Sequence, residues 1–136
     1  MDMERSGLKE FLSDPAQGLP ADSALVALLL NIADTVRQLS QAIAQGAIAG
    51  LTAKLDSRNV QGETQMKLDL MSNALFIERL QASGLVHGLA SEEMDEPVLL
   101  ADRPGEQPFL VIFDPLDGSS NVPVNVSIGS IFSVLP

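Results

Sequence analysis

Leu25, Leu28, Leu29, Ile32, Val36, Leu39 and Ile43 recur at the spacing of one helix face. Asp22 or Ser23 supplies an N-cap and Gly46 a stop, so a helix is predicted over 23–46. Val26 and Leu30 widen the apolar stripe, and the helix is expected to be buried on more than one side. A second helix is predicted from Glu63 to Gln81, with Met66, Leu70, Leu75, Ile77 and Leu80 as its apolar positions and Gly84 beyond its end. Between the two, the polar run Lys54 to Gly62 reads as a loop. Residues 1–22 form an arm that Asp14-Pro15 and Gly18-Leu19-Pro20 keep short of any long element. Within it, Leu8, Phe11 and Leu12 can make one amphipathic turn.

After Gly84 the pattern changes from helical spacing to short apolar runs. Leu85 to Ala90 predicts a strand that ends at Ser91-Glu92-Glu93, and Pro97 to Ala101 is a second run before the polar turn Asp102 to Glu106. Phe109-Leu110-Val111-Ile112-Phe113 reads as a central buried strand. Val124 to Leu135 alternates, with Val124, Val126, Ile128, Ser130, Phe132 and Val134 on one face and mixed residues on the other, as in a sheet covered on both sides. Together these elements predict an α+β fold, helices packed on a mixed, largely antiparallel sheet, with the arm 1–22 followed by one domain over 23–136.

Composition narrows the classes. With 136 residues, 46% hydrophobic and 19% charged, the chain can bury one core and is not of disordered type. The absence of cysteine removes disulfides and thiolate ligands, leaving oxygens and the single His87 for any metal. A net charge of −10 disfavours nucleic acid and anionic membrane surfaces as partners. An acidic protein that handles phosphates would need cations to offset repulsion. Met1-Asp2-Met3-Glu4-Arg5 lacks the regions of a signal peptide, and the apolar run 24–33 is too short for a membrane span. A soluble, cytoplasmic protein is expected.

The candidate chemistry sits where two apolar runs end in acids. Glu92-Glu93 follow the first, and Asp114-Pro115-Leu116-Asp117-Gly118-Ser119-Ser120-Asn121 follow the second. Pro115 fixes φ and Gly118 permits positive φ, so a sharp turn could aim both aspartates at one spot with the Leu116 carbonyl between them. Hard divalent cations take such oxygen ligands. Gly118-Ser119-Ser120 add small side chains, backbone N–H groups and hydroxyls suited to a phosphate oxyanion. If the two strands are neighbours, Glu92, Glu93, Asp114 and Asp117 converge, and their mutual repulsion calls for cations. His87, inside an apolar strand, reads as a core histidine.

Asp114-Pro115-Leu116-Asp117-Gly118-Ser119-Ser120-Asn121, with Ser91-Glu92-Glu93 upstream, resembles the signature of class I fructose-1,6-bisphosphatases, members of the lithium-sensitive sugar phosphatase superfamily. Asn59-Val60-x-Gly62-Glu63 and Lys67-Leu68-Asp69-x-x-Ser72-Asn73 also fit that family's patterns. The resemblance implies that Glu92 and Asp114 bridge a metal cluster, that Asp117 and the Leu116 carbonyl each bind one metal, and that Glu63 approaches a further one. It implies that Asp69 and Glu93 activate the attacking water, and that Asp117, Gly118, Ser119 and Ser120 hold the phosphate that is cleaved. The implied cofactor is Mg²⁺ or Mn²⁺, more than one per site. The implied reaction is hydrolysis of the 1-phosphate of fructose 1,6-bisphosphate in a homo-oligomer, a tetramer by resemblance. The implied fold is the N-terminal part of a layered sugar-phosphatase architecture.

Three departures qualify it. Pro108-Phe109 stands where allosteric relatives carry a lysine-tyrosine pair, Leu19-Pro20-Ala21-Asp22 replaces an AMP-holding turn, and Pro123 replaces an aspartate. AMP inhibition is therefore not implied. Nothing matching the sugar-binding half of the family is present, so the chain reads as truncated and is expected to be inactive by itself. Two other readings stay open: a different sugar bisphosphatase or inositol-phosphate phosphatase of the superfamily, and a non-catalytic module.

Overall fold

A computed structural model describes residues 7–20, 23–46, 58–100, 107–124 and 127–136. Helix α1 spans Leu8–Ser13, α2 Ala24–Gly46 and α3 Arg58–Ala82. The strands are β1 Val86–Ser91, β2 Val98–Leu99, β3 Phe109–Asp117 and β4 Gly129–Leu135. They form one sheet in the order β2-β1-β3-β4. The β1–β2 and β3–β4 pairs are antiparallel and the central β1–β3 pair is parallel. The mixed sheet and its helices are those expected from the sequence pattern.

Leu28, Ile32 and Leu39 of α2 meet Leu68, Phe76 and Leu80 of α3 over Leu89, Val111 and Phe113 of the sheet. The Phe76 and Phe113 rings stack with centroids 5.3 Å apart. Ser23 caps α2 by accepting from the Val26 N–H at 3.2 Å, while Asp22, the other candidate cap, lies outside the described residues. Leu12 of α1 is buried as well, and α1 packs against α2. Among the described residues no helix is long and apolar enough to cross a membrane.

Four elements differ from the sequence expectation. Helix α3 begins at Arg58, so residues 58–62 of the expected loop are helical; 54–57 lie outside the described residues. Its core face is Leu68, Ser72, Phe76 and Leu80, whereas Met66 and Leu70 are exposed. A buried serine interrupts that i, i+4 row, and its hydroxyl is satisfied by the Leu68 carbonyl at 2.7 Å. Strand β3 continues through Asp114-Pro115-Leu116-Asp117 instead of turning at Asp114. Proline is tolerated there because the pairing with β4 shifts register between Asp114 and Asp117. Finally, Ser119–Val124 is a 3₁₀ helix, and β4 starts only at Gly129. The polar turn expected over Asp102 to Glu106 and the strand residues Asn125 and Val126 fall outside the described residues.

Candidate active site

The parallel pairing of β1 with β3 builds the site. Ser91 lies opposite Phe113, and the Glu92 N–H donates to the Phe113 carbonyl at 3.1 Å, so the ladder runs on to the acids. Two acid-bearing strand ends therefore finish side by side at one end of the sheet. By strand alternation Glu92 continues the row of Gly88 and Ala90, and Asp114 continues the row of Leu110 and Ile112. In its protonated form the Glu92 carboxyl donates a hydrogen bond to Asp114. That bond, the Asp114 charge, partial loss of solvent and the charges of Glu93 and Asp117 all push Glu92 above the usual carboxylate range.

Glu93 is exposed, yet its carboxyl is also raised, by partial desolvation and by the charges of Asp69 and Asp114. Since so little of Glu93 is withdrawn from water, the two neighbouring carboxylates are the distinctive feature. Asp69 reaches this group from α3, and its Oδ1 is buried without a hydrogen-bond partner. Asp114 is oriented by the Leu116 N–H, which donates to its Oδ1 at 3.0 Å. The structure thus links the acids pairwise, Glu92 with Asp114, Glu93 and Asp117, and Glu93 with Asp69 and Asp114. Glu63 lies on α3, but its side chain is outside the described residues.

The turn into the cradle follows directly. Gly118 has φ 77°, and a Cβ there would come within 3.3 Å of the Asn121 side-chain amide, so glycine serves both the backbone and the close approach. The Asn121 N–H donates back to the Gly118 carbonyl at 2.8 Å, folding Ser119 and Ser120 over the end of β3. An open groove of about 480 Å³ runs beside the acids, lined by Ala90, Glu92, Ile112, Asp114 and Ile131 among others. A depression of about 610 Å³ on the outer side of α3, at Ala74, Ile77 and Glu78, is remote from this chemistry.

Two further residues help to shape the site. The buried Ser91 hydroxyl accepts from the Glu93 N–H at 3.2 Å and shapes the turn that presents both glutamates. A small polar residue two positions before the second acid is the only sequence hint of this turn. The Gln65 amide donates to Ser119 Oγ at 3.2 Å, across 54 residues of sequence, which no local pattern reveals.

The donor chemistry suits a hard divalent cation. The donors are all oxygens, they repel one another, and among the described residues none of the five acids has an ion-pair partner. The unpartnered Asp69 Oδ1 is a further donor in waiting. Among the described residues no three of these side chains are placed to hold a metal ion together as they stand, so binding requires them to move.

The family described as "Fructose-1-6-bisphosphatase, N-terminal domain" matches residues 6–136. The chain belongs to this fructose-1,6-bisphosphatase family. It is 47% identical over 139 residues to the class 1 fructose-1,6-bisphosphatase of Alkalilimnicola ehrlichii, covering 100% of this chain and 41% of that protein. It is 51% identical over 109 residues to the Shewanella pealeana class 1 enzyme, covering 80% of this chain and 32% of the relative. The holo crystal structure of Leishmania major fructose-1,6-bisphosphatase superposes with a TM-score of 0.73 at 30% identity, over 95% of this chain and 37% of that one. The chain thus spans roughly a third to two fifths of these fructose-1,6-bisphosphatases.

Proposed function

We propose that this chain is the metal- and phosphate-binding part of a fructose-1,6-bisphosphatase, and that the full-length protein hydrolyses the 1-phosphate of fructose 1,6-bisphosphate. The observation that carries the reading is the parallel β1–β3 pair, which sets Glu92 against Asp114 immediately ahead of Gly118-Ser119-Ser120. Family membership and the class 1 relatives support it.

In this reading Glu92, Asp114, Asp117 and the Leu116 carbonyl hold Mg²⁺ or Mn²⁺, more than one ion per site, with Glu63 available to a further ion. When bound, the cations supply Lewis acidity and positive charge at the phosphoryl group. The chain's own residues do the rest. Glu93 and Asp69 orient a water for in-line attack and take up its proton. Asp117, Gly118, Ser119 and Ser120 hold the phosphoryl oxygens in the geometry of displacement. The protein is proposed to act in carbohydrate metabolism in the cytoplasm, as a homo-oligomer.

The test is phosphate release by the full-length protein with Mg²⁺ or Mn²⁺. Fructose 1,6-bisphosphate should be turned over far faster than inositol 1-phosphate. The opposite order would reassign the substrate within the superfamily, and release from neither would refute a phosphatase role.

A further inference from the structure

We propose that Gln65 is a positioning residue for the phosphate cradle, setting the direction in which the Ser119 hydroxyl donates; this rests on the reading of Ser119 as a phosphate ligand. The Gln65 Nε2 group donates to Ser119 Oγ at 3.2 Å in a partly buried contact between α3 and the 3₁₀ helix that follows β3. A serine hydroxyl has one proton and two lone pairs. With one lone pair occupied by the amide, the oxygen is polarised and its proton is free to point at an anion. Were the amide reversed, its oxygen would take that proton, and Ser119 would present only a lone pair to a phosphate oxygen. An anion site cannot use an acceptor.

The placement of Gln65 adds to the argument. Gln65 lies four residues before Asp69, on the same face of α3. One turn of helix therefore carries the amide that addresses the cradle and the carboxylate that addresses Glu93. Both residues are half-buried at the edge of the core face set by Leu68, Ser72 and Phe76. The two halves of the site are held in register by a single rigid element.

The experiment uses the full-length protein with inorganic phosphate as the probe, measured by competition and by direct titration. The variants are Gln65→Met, which keeps length and removes the donor, Gln65→Glu, which supplies only an acceptor at neutral pH, Ser119→Ala, and the double variant of Gln65→Met with Ser119→Ala. Loss of one hydrogen bond predicts that Gln65→Met weakens phosphate binding about fivefold. Gln65→Glu should weaken it further, and the unliganded unfolding midpoint of Gln65→Met should stay at the wild-type value. In the Ser119→Ala background Gln65→Met should have no additional effect. Wild-type phosphate affinity in Gln65→Met, an additive loss in the double variant, or a lowered midpoint with phosphate affinity intact would each overturn the proposal. Failure of the wild type to hydrolyse fructose 1,6-bisphosphate, with the phosphate results as expected, would instead fault the substrate reading.

Discussion

Glu93 and Asp117 belong to one set of interacting carboxylates but have different neighbours. Glu93 feels the charges of Asp69 and Asp114 and is proposed to take the proton of the attacking water. Asp117 ends β3 beside the glycine turn and is proposed to serve both the cation and the phosphate. If the full-length protein has the proposed activity, Glu93→Gln at saturating Mg²⁺ should lower kcat by about 10²–10⁴-fold, the range of a lost general base. Asp117→Asn should leave the unfolding midpoint nearly unchanged while removing several kcal/mol, roughly, of transition-state stabilisation. Steady-state turnover checks both, and wild-type rates in either variant would remove that residue from the mechanism. At this scale the acids were legible because each set is contiguous in sequence and each follows an apolar run. Gln65 was not, because a glutamine bonded across 54 residues looks like any polar residue at that position, and Ser91, though within the Ser-Glu-Glu motif, gave no sign of its bond to the Glu93 N–H.

At the scale of elements, the sequence showed where strands end in acids but not which strands touch. Adjacency and parallel pairing of β1 and β3 are set by how Leu89, Val111 and Phe113 pack beneath α2 and α3, a non-local choice. The start of α3 is hidden in the sequence because Arg58 to Gly62 offers only Val60 as an apolar residue, and Gly62 lowers helix propensity by about 1 kcal/mol relative to alanine. The α2–α3 pair also carries an ionic link that sequence periodicity does not reveal. Asp34 accepts from Arg37 Nη2 at 2.7 Å and from Gln38 at 2.7 Å on its own helix, and from Arg79 of α3. Hydrogen bonds from Arg37 and then Gln38, aided by both guanidinium charges against slight desolvation, hold its carboxyl below the usual range. A lowered folded-state pKa contributes stability above the unfolded value of about 3.9 that is lost as pH falls through the folded value. Urea midpoints between pH 6 and pH 3 should therefore drop more steeply below about pH 4 for the wild type than for Asp34→Asn. Parallel curves for the two proteins would remove the link from the stability of the helix pair.

For the whole molecule the deciding feature is the second face of the sheet. Val111 and Phe113 are buried under the helices, while the register places Leu110, Ile112 and Asp114 beside Leu135, Ser133 and Ile131 on the opposite face. Leu99, Ile112, Ile131 and Leu135 are 77%, 45%, 59% and 42% exposed there. The pattern of the alternating segment calls for cover on both sides, and among the described residues α2 and α3 supply it on one side. Contiguous apolar surface of this kind recruits a partner or aggregates. A polypeptide of residues 1–136 alone should therefore self-associate in sedimentation velocity and release no phosphate from fructose 1,6-bisphosphate. Introducing Ile112→Lys together with Ile131→Lys should shift that polypeptide toward monomer by charging the face without touching the helix-covered core. The same pair in the full-length protein should lower the unfolding midpoint if further chain covers this face, because burying ammonium groups is costly even beside a carboxylate. A monodisperse wild-type 1–136 monomer that unfolds cooperatively and releases phosphate would show that the exposed face needs no cover and that this part of the fold is sufficient for catalysis.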